Sequence, residues 1–164
     1  MNTRWKPSVT VAAVIHRQND EGISQYMLVE EETLNGLQLN NPAGHLDPGE
    51  SPQQGVVREA LEETTCEFNP EFLVGIYLSR APHPARGDTV TYLRLAFSGT
   101  ASAPNPQLSL DTGIVRTLWM TLDEVRASAH RHRSPMVLKC IEDHDAGKAY
   151  PLDVVYTHES AYHI

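Results

Sequence analysis

The sequence has little that could staple or tether it. It holds only two cysteines, Cys66 and Cys140, which match no paired metal-ligand spacing and suggest no disulfide framework. They read instead as two partly buried thiols in a reducing compartment. The apolar run from Val9 to Ile15 is far too short to span a bilayer, and no small-residue cleavage pattern follows it. A cytoplasmic protein without a membrane partner is expected. Basic residues are also scarce: 13 Lys and Arg stand against 21 Asp and Glu, for a net charge of −8. Coating a nucleic-acid backbone needs concentrated positive charge, so no stable nucleic-acid partner is expected. Internal repeats and low-complexity segments are absent, and no long stretch is depleted of apolar residues.

What is present fits one compact domain over residues 1–164, acting as a monomer or homodimer. Val9 to His16 is rich in β-branched residues and reads as a buried strand. Gln18 to Gly22 reads as a turn and Tyr26 to Glu31 as the returning strand of a hairpin. Asn40, Asn41, Pro42 and Gly44 should break any regular element. Ser51 at an N-cap, Pro52 at the first helical position, and Val56, Val57, Ala60 and Leu61 on one side predict a helix to about Thr64. Phe72 to Ser79 and Thr89 to Phe97 read as neighbouring strands joined by a loop from Arg80 to Asp88. After a loop at Ala101 to Pro106, Ile114 to Met120 is a further strand. Thr121 caps a short helix, and a last helix opens at Ser134–Pro135 and ends by Gly147. Strands joined mostly by hairpins and interleaved with a few helices give an α+β fold, an α/β/α sandwich around a mixed sheet.

The chemistry is concentrated in Gly44 to Cys66, GHLDPGESPQQGVVREALEETTC. At about 100° per helical residue, Glu62 and Glu63 fall on either side of Glu59, within roughly 60° of it, so three carboxylates share one face. Val57, Ala60 and Leu61 point the other way. A helix anchored by an apolar back thus presents a fixed negative cluster. Such acids repel and raise one another's proton affinity unless a cation neutralises them. Oxygen-only ligands favour a hard ion, Mg²⁺ or Mn²⁺, which would also let an acidic site hold a phosphorylated small-molecule substrate. The bland alternative is a solvated acidic helix face.

The residues before the helix separate these readings. Gly44, Glu50, Arg58, Glu59, Glu62 and Glu63 occur at the unbroken spacing G-x5-E-x7-R-E-U-x-E-E, with Ala60 and Cys66 at the two apolar places. This resembles the box of the Nudix hydrolase superfamily. The resemblance implies a box folded as loop–helix–loop, with the Gly44 carbonyl and Glu59, Glu62 and Glu63 around one or more Mg²⁺ ions. It also implies Glu50 and Arg58 as a supporting ion pair, and a cation-activated water attacking phosphorus. One fixed position departs: Thr65 stands where the box has its second glycine. A β-branched residue takes positive φ only with strain, so a longer helix or a cap that is not left-handed is expected there. The segments KPSVTVAAVIH, LVEEETLNG, NNPAGHL, RSPMV and YPLDVV extend the likeness to the NudJ-type phosphatases. That subfamily implies nucleoside tri- and diphosphates or thiamine-type pyrophosphates as substrates.

Further candidates for substrate contact are His45, Arg80, Arg86 and Arg94, with Asp111 as an added carboxylate near the cation. Tyr92 and Trp119 are assigned to core packing rather than to stacking on a substrate ring. The run His130-Arg131-His132-Arg133 matches no zinc spacing and is read as a solvated connection between helices.

Overall fold

A computed structural model describes residues 4–83 and 85–163; residues 1–3 and 164, and Pro84 in the predicted Arg80–Asp88 loop, lie outside it. Its order is β1 (Ser8–Gln18), β2 (Ser24–Thr33), β3 (Gly36–Asn40), β4 (Ala43–His45), α1 (Pro52–Thr64), β5 (Phe68–Pro82), β6 (Thr89–Ala101), β7 (Ile114–Thr121), α2 (Leu122–Ala127) and α3 (Met136–Asp145). The mixed sheet and its few helices are the expected α+β sandwich.

Alternation along β1 explains the layering, because a strand buried on both faces reads as a continuous apolar run. Val11, Ala13 and Ile15 pack with Val56 and Ala60 of α1, while Ala12 and Val14 pack with Val125 of α2 and Val137, Cys140 and Ile141 of α3. The sheet is therefore sandwiched between α1 on one face and α2 with α3 on the other.

The site depends on how β1 and β2 part. They pair antiparallel only from His16–Tyr26 to Gln18–Ser24. Beyond that, β4 takes the edge of β1, with Val11 opposite Gly44, and β3 takes β2, with Val29 opposite Asn40. The segment around Pro42 and Gly44 is therefore not irregular throughout, as the sequence suggests, since Ala43–His45 is a short strand. Three residues carry too little pattern to announce a strand, and β1's open edge supplies the partner. On its other side β1 runs parallel to β6, Ser8 opposite Tyr92 through Ile15 opposite Gly99. The β5–β6 hairpin is longer than expected, pairing Pro82 with Thr89, so Arg80 lies in a strand and not in the loop.

α1 starts as its sequence dictates. Ser51 accepts from the Gln54 backbone while the Gln54 side chain accepts from Ser51 N, a reciprocal capping box, and Pro52 fills the first turn. Its end corrects the expectation for Thr65, which does take the left-handed conformation, with φ 58° and ψ 13°. Thr65 is the only non-glycine residue with positive φ among the described residues. Its N–H reaches Leu61 O at 2.9 Å and its carbonyl accepts from Asn105 N at 2.9 Å, so tertiary contacts hold the strained backbone. Thr65→Gly should therefore raise the free energy of unfolding by about 1 kcal/mol, measured by urea denaturation; a lower midpoint would show the strain is not stored there.

Candidate active site

α1 carries its acids past β4. Arg58 is the hub: its Nε and Nη2 grip Glu50 Oε2 and Oε1 at 3.0 and 2.7 Å, its Nη1 reaches Glu59 at 2.8 Å and Glu62 at 3.2 Å, and its Nη2 donates to His45 O at 3.0 Å. Bidentate guanidinium–carboxylate pairing fixes orientation as well as charge. Glu50 also accepts from Asp47 N at 2.8 Å, and together with the guanidinium this holds its carboxyl below the usual carboxylate range. A second constraint ties Gly44 to Glu59. A Cβ on Gly44 would lie 2.1 Å from Glu59 Cδ, so the carboxylate rests directly on a bare Cα.

Glu63 turns the other way and accepts from Ala43 N at 3.0 Å. Burial, then repulsion from Glu31, Glu59 and Asp111, pushes its carboxyl up to about 8. Glu59 is also raised, chiefly by burial, although Arg58 opposes the shift. Two half-buried acids whose carboxyls are raised by burial are a donor set suited to a hard divalent cation, with no nitrogen or sulfur ligand among them. Among the described residues, no three such side chains are already drawn into a closed ligand set. The reason is visible in the bonds: Arg58 occupies Glu59 and Glu62, and the Ala43 N–H occupies Glu63.

Beside this cluster lies a cleft of about 520 Å³, opened where β1 and β2 diverge. Ala43 and Gly44 line it, and of the glutamates of α1, Glu63 contacts Ala43 and Glu59 lies against Gly44. His45 lines it too, exposed, with its ring 6.3 Å from Tyr92. Arg94 contributes a guanidinium that donates to Asn41 Oδ1 at 3.0 Å. Asp111 stands near the cluster, since its N–H donates to Glu62 O at 2.9 Å, although its carboxylate accepts from Thr112 N. Arg80 and Arg86 are not brought in: Arg80 bonds Thr89 across the hairpin, and Arg86 pairs with Asp88 at 3.4 Å.

Two assignments change. Tyr92 lines the cleft and belongs to neither core cluster, whereas Trp119 packs against the core as expected, with Arg17 over its ring. The run from His130 to Arg133 connects α2 and α3 as expected, with His130 exposed, but it is only partly solvated. Arg131 pairs with the buried Glu30 at 2.8 Å, His132 is itself buried, and Arg133 pairs with Glu31 and lines the cleft with Ser134. Sequence reasoning passed over Glu31 and read Arg133 only as part of a solvated connection. The available signal was the acidic run Glu30–Glu32 ending a buried strand, which demands partners somewhere in the chain.

A glutamate-faced helix packed beside a cleft between diverging strands is the arrangement that the resemblance of its motif implies. Residues 6–140 match the NUDIX domain, and the chain belongs to that family. It is 33% identical over 152 residues to Phosphatase NudJ of Escherichia coli strain K12, covering 92% of each chain. A NUDIX hydrolase from Nitrosomonas europaea has a similar structure, with a TM-score of 0.80, 50% identity, and coverage of 93% of this chain and 98% of that one. The NUDIX domain of Shewanella oneidensis NrtR, solved with ADP ribose, shares the fold at a TM-score of 0.67 and 19% identity, over 87% of this chain and 89% of that one. The chain is thus a Nudix-family phosphohydrolase.

Proposed function

We propose that this hydrolase is Mg²⁺-dependent, with Mn²⁺ as a substitute, and cleaves phosphoanhydride bonds of nucleoside tri- and diphosphates or of thiamine-type pyrophosphates. The observation that carries the reading is the pair of half-buried carboxylates, Glu59 and Glu63, each raised by burial and lying against Gly44 and Ala43, which line the cleft. The likeness to Phosphatase NudJ supports release of phosphate, and the substrate class is the one that the resemblance of the sequence implies.

In this reading the Gly44 carbonyl, Glu59, Glu62 and Glu63 hold the cation. Bound there, it supplies charge neutralisation for the phosphate chain and acidifies a water for attack on phosphorus. Arg58 keeps Glu59 and Glu62 aligned through its contacts with both and is itself locked by Glu50. Arg94 and His45 face the anionic part of the substrate, and Tyr92 offers a flat apolar surface to its organic part. Glu63, its carboxyl raised by burial and bonded to Ala43 N, would have to ionise to hold the cation, and would then be a carboxylate able to take a proton from water.

The test is incubation of the pure protein with Mg²⁺ and a panel of nucleoside tri- and diphosphates, thiamine pyrophosphate, ADP-ribose, dinucleoside polyphosphates and a 5′-triphosphate RNA. Phosphate released from the first three, and suppressed by chelation, is expected. Release from ADP-ribose, dinucleoside polyphosphates or RNA alone would reassign the substrate. Tight binding of a nucleotide without any release would make the protein a sensor built on the same fold.

A further inference from the structure

Two adjacent glutamates at the end of β2 are treated very differently by the structure. Glu30 is a completed structural carboxylate: its side chain is 3% exposed, and its two oxygens are taken by Arg116 and Arg131, each at 2.8 Å. Glu31 is half complete. Arg133 holds Oε2, while Oε1 is fully buried and has no hydrogen-bond partner. A buried carboxylate oxygen without a partner is costly and rare, and it points to a ligand that belongs there.

The surroundings say which ligand. Glu31 is the only acid among the described residues lining the cleft. Ala43, whose N–H holds Glu63 at 3.0 Å, lines the same cleft, so Glu31 borders the space next to the acids of α1 from an element outside the motif that carries them. Its one partner, Arg133, has an exposed side chain but an anchored backbone, with its N–H on Leu39 O at 2.8 Å. Arg133 also lines the cleft, so it would still face bound substrate after letting go of Glu31.

We propose that Glu31 is a further carboxylate of the cation-holding cluster, and that Arg133 is its counter-ion when no cation is bound, passing to an anionic group of the substrate when Glu31 turns to the cation. This rests on the reading of Glu59 and Glu63 as cation-holding residues. It makes Arg133 a positioning residue whose availability depends on the cation, so that cation and phosphorylated substrate should strengthen one another's binding.

The test is Mn²⁺ binding to the full chain, followed by the electron paramagnetic resonance of free Mn²⁺, with thermal unfolding as a check on the fold. Glu31→Gln keeps the shape and removes the charge; a loss of Mn²⁺ affinity of about tenfold or more is expected, with part of it restored in Glu31→Asp. Arg133→Gln removes the competing cation and should leave Mn²⁺ binding equal or several-fold tighter while raising the substrate KM. That second variant decides the matter if Glu31→Gln does not fold. Wild-type affinity in Glu31→Gln, or an Arg133→Gln protein that binds Mn²⁺ as poorly as Glu31→Gln, overturns the assignment. Glu59→Gln separates the two levels: if it weakens Mn²⁺ binding and Glu31→Gln does not, only Glu31 is misassigned, whereas wild-type affinity in Glu59→Gln removes the cation-holding face as well.

Discussion

Replacing Glu63 by Gln should lower turnover by roughly 10²–10⁴-fold and leave the circular dichroism spectrum unchanged. The substitution preserves the shape of the side chain and its acceptor for Ala43 N, but removes the negative charge. Near-normal turnover would refute the role given to this carboxylate. The same variant has a second signature. In the folded, cation-free protein Glu63 keeps its proton up to about pH 8, whereas its unfolded value is 4.5. Between those values the unfolded chain holds fewer protons, so this group's contribution to stability is full below pH 4.5 and is lost as pH rises through 8. The cation-free protein should therefore lose stability across that window and regain it on addition of Mg²⁺ at the alkaline end. Glu63→Gln should show a weaker fall. Divalent-cation affinity should also increase with pH up to about 8, because binding displaces the proton.

Gly44→Ala is the second large effect, and it should separate activity from folding. The new methyl group would lie 2.1 Å from the Glu59 carboxylate, but that carboxylate is the far end of a flexible side chain and can swing away. Thermal stability should change little. Glu59 would then no longer lie beside the cleft, and turnover should fall by about 10²-fold or more, as when a catalytic group is misplaced by an ångström. Retained activity would mean that contact between Gly44 and Glu59 is not required. A large drop in melting temperature would place the glycine's role in the fold instead.

The features legible in the sequence are those encoded locally. Ser51, Pro52 and the apolar positions of α1 announce the helix, and the spacing from Gly44 to Glu63 announces its chemistry. What was not legible is supplied by distant partners. β4 exists because β1 leaves β2 and offers an edge. Thr65 accepts a strained backbone because Leu61 and Asn105 hold it on both sides. Arg131 and Arg133 look solvated until Glu30 and Glu31, about a hundred residues earlier, are seen to need them. Arg80 was misplaced because the length of β5 is set by its pairing with β6 rather than by its own composition.

The parallel pairing of β1 with β6 has a consequence for how the chain is made. The first strand cannot find this neighbour until residues 92–99 have left the ribosome, and the only strands offered before then are β2 at three residues and β4. For that interval the run from Val9 to Ile15 is an apolar segment with one unmatched edge. Refolding of the full-length chain should thus be slow for its size. Nascent chains that end before β6 should be held by chaperones or lost to aggregation.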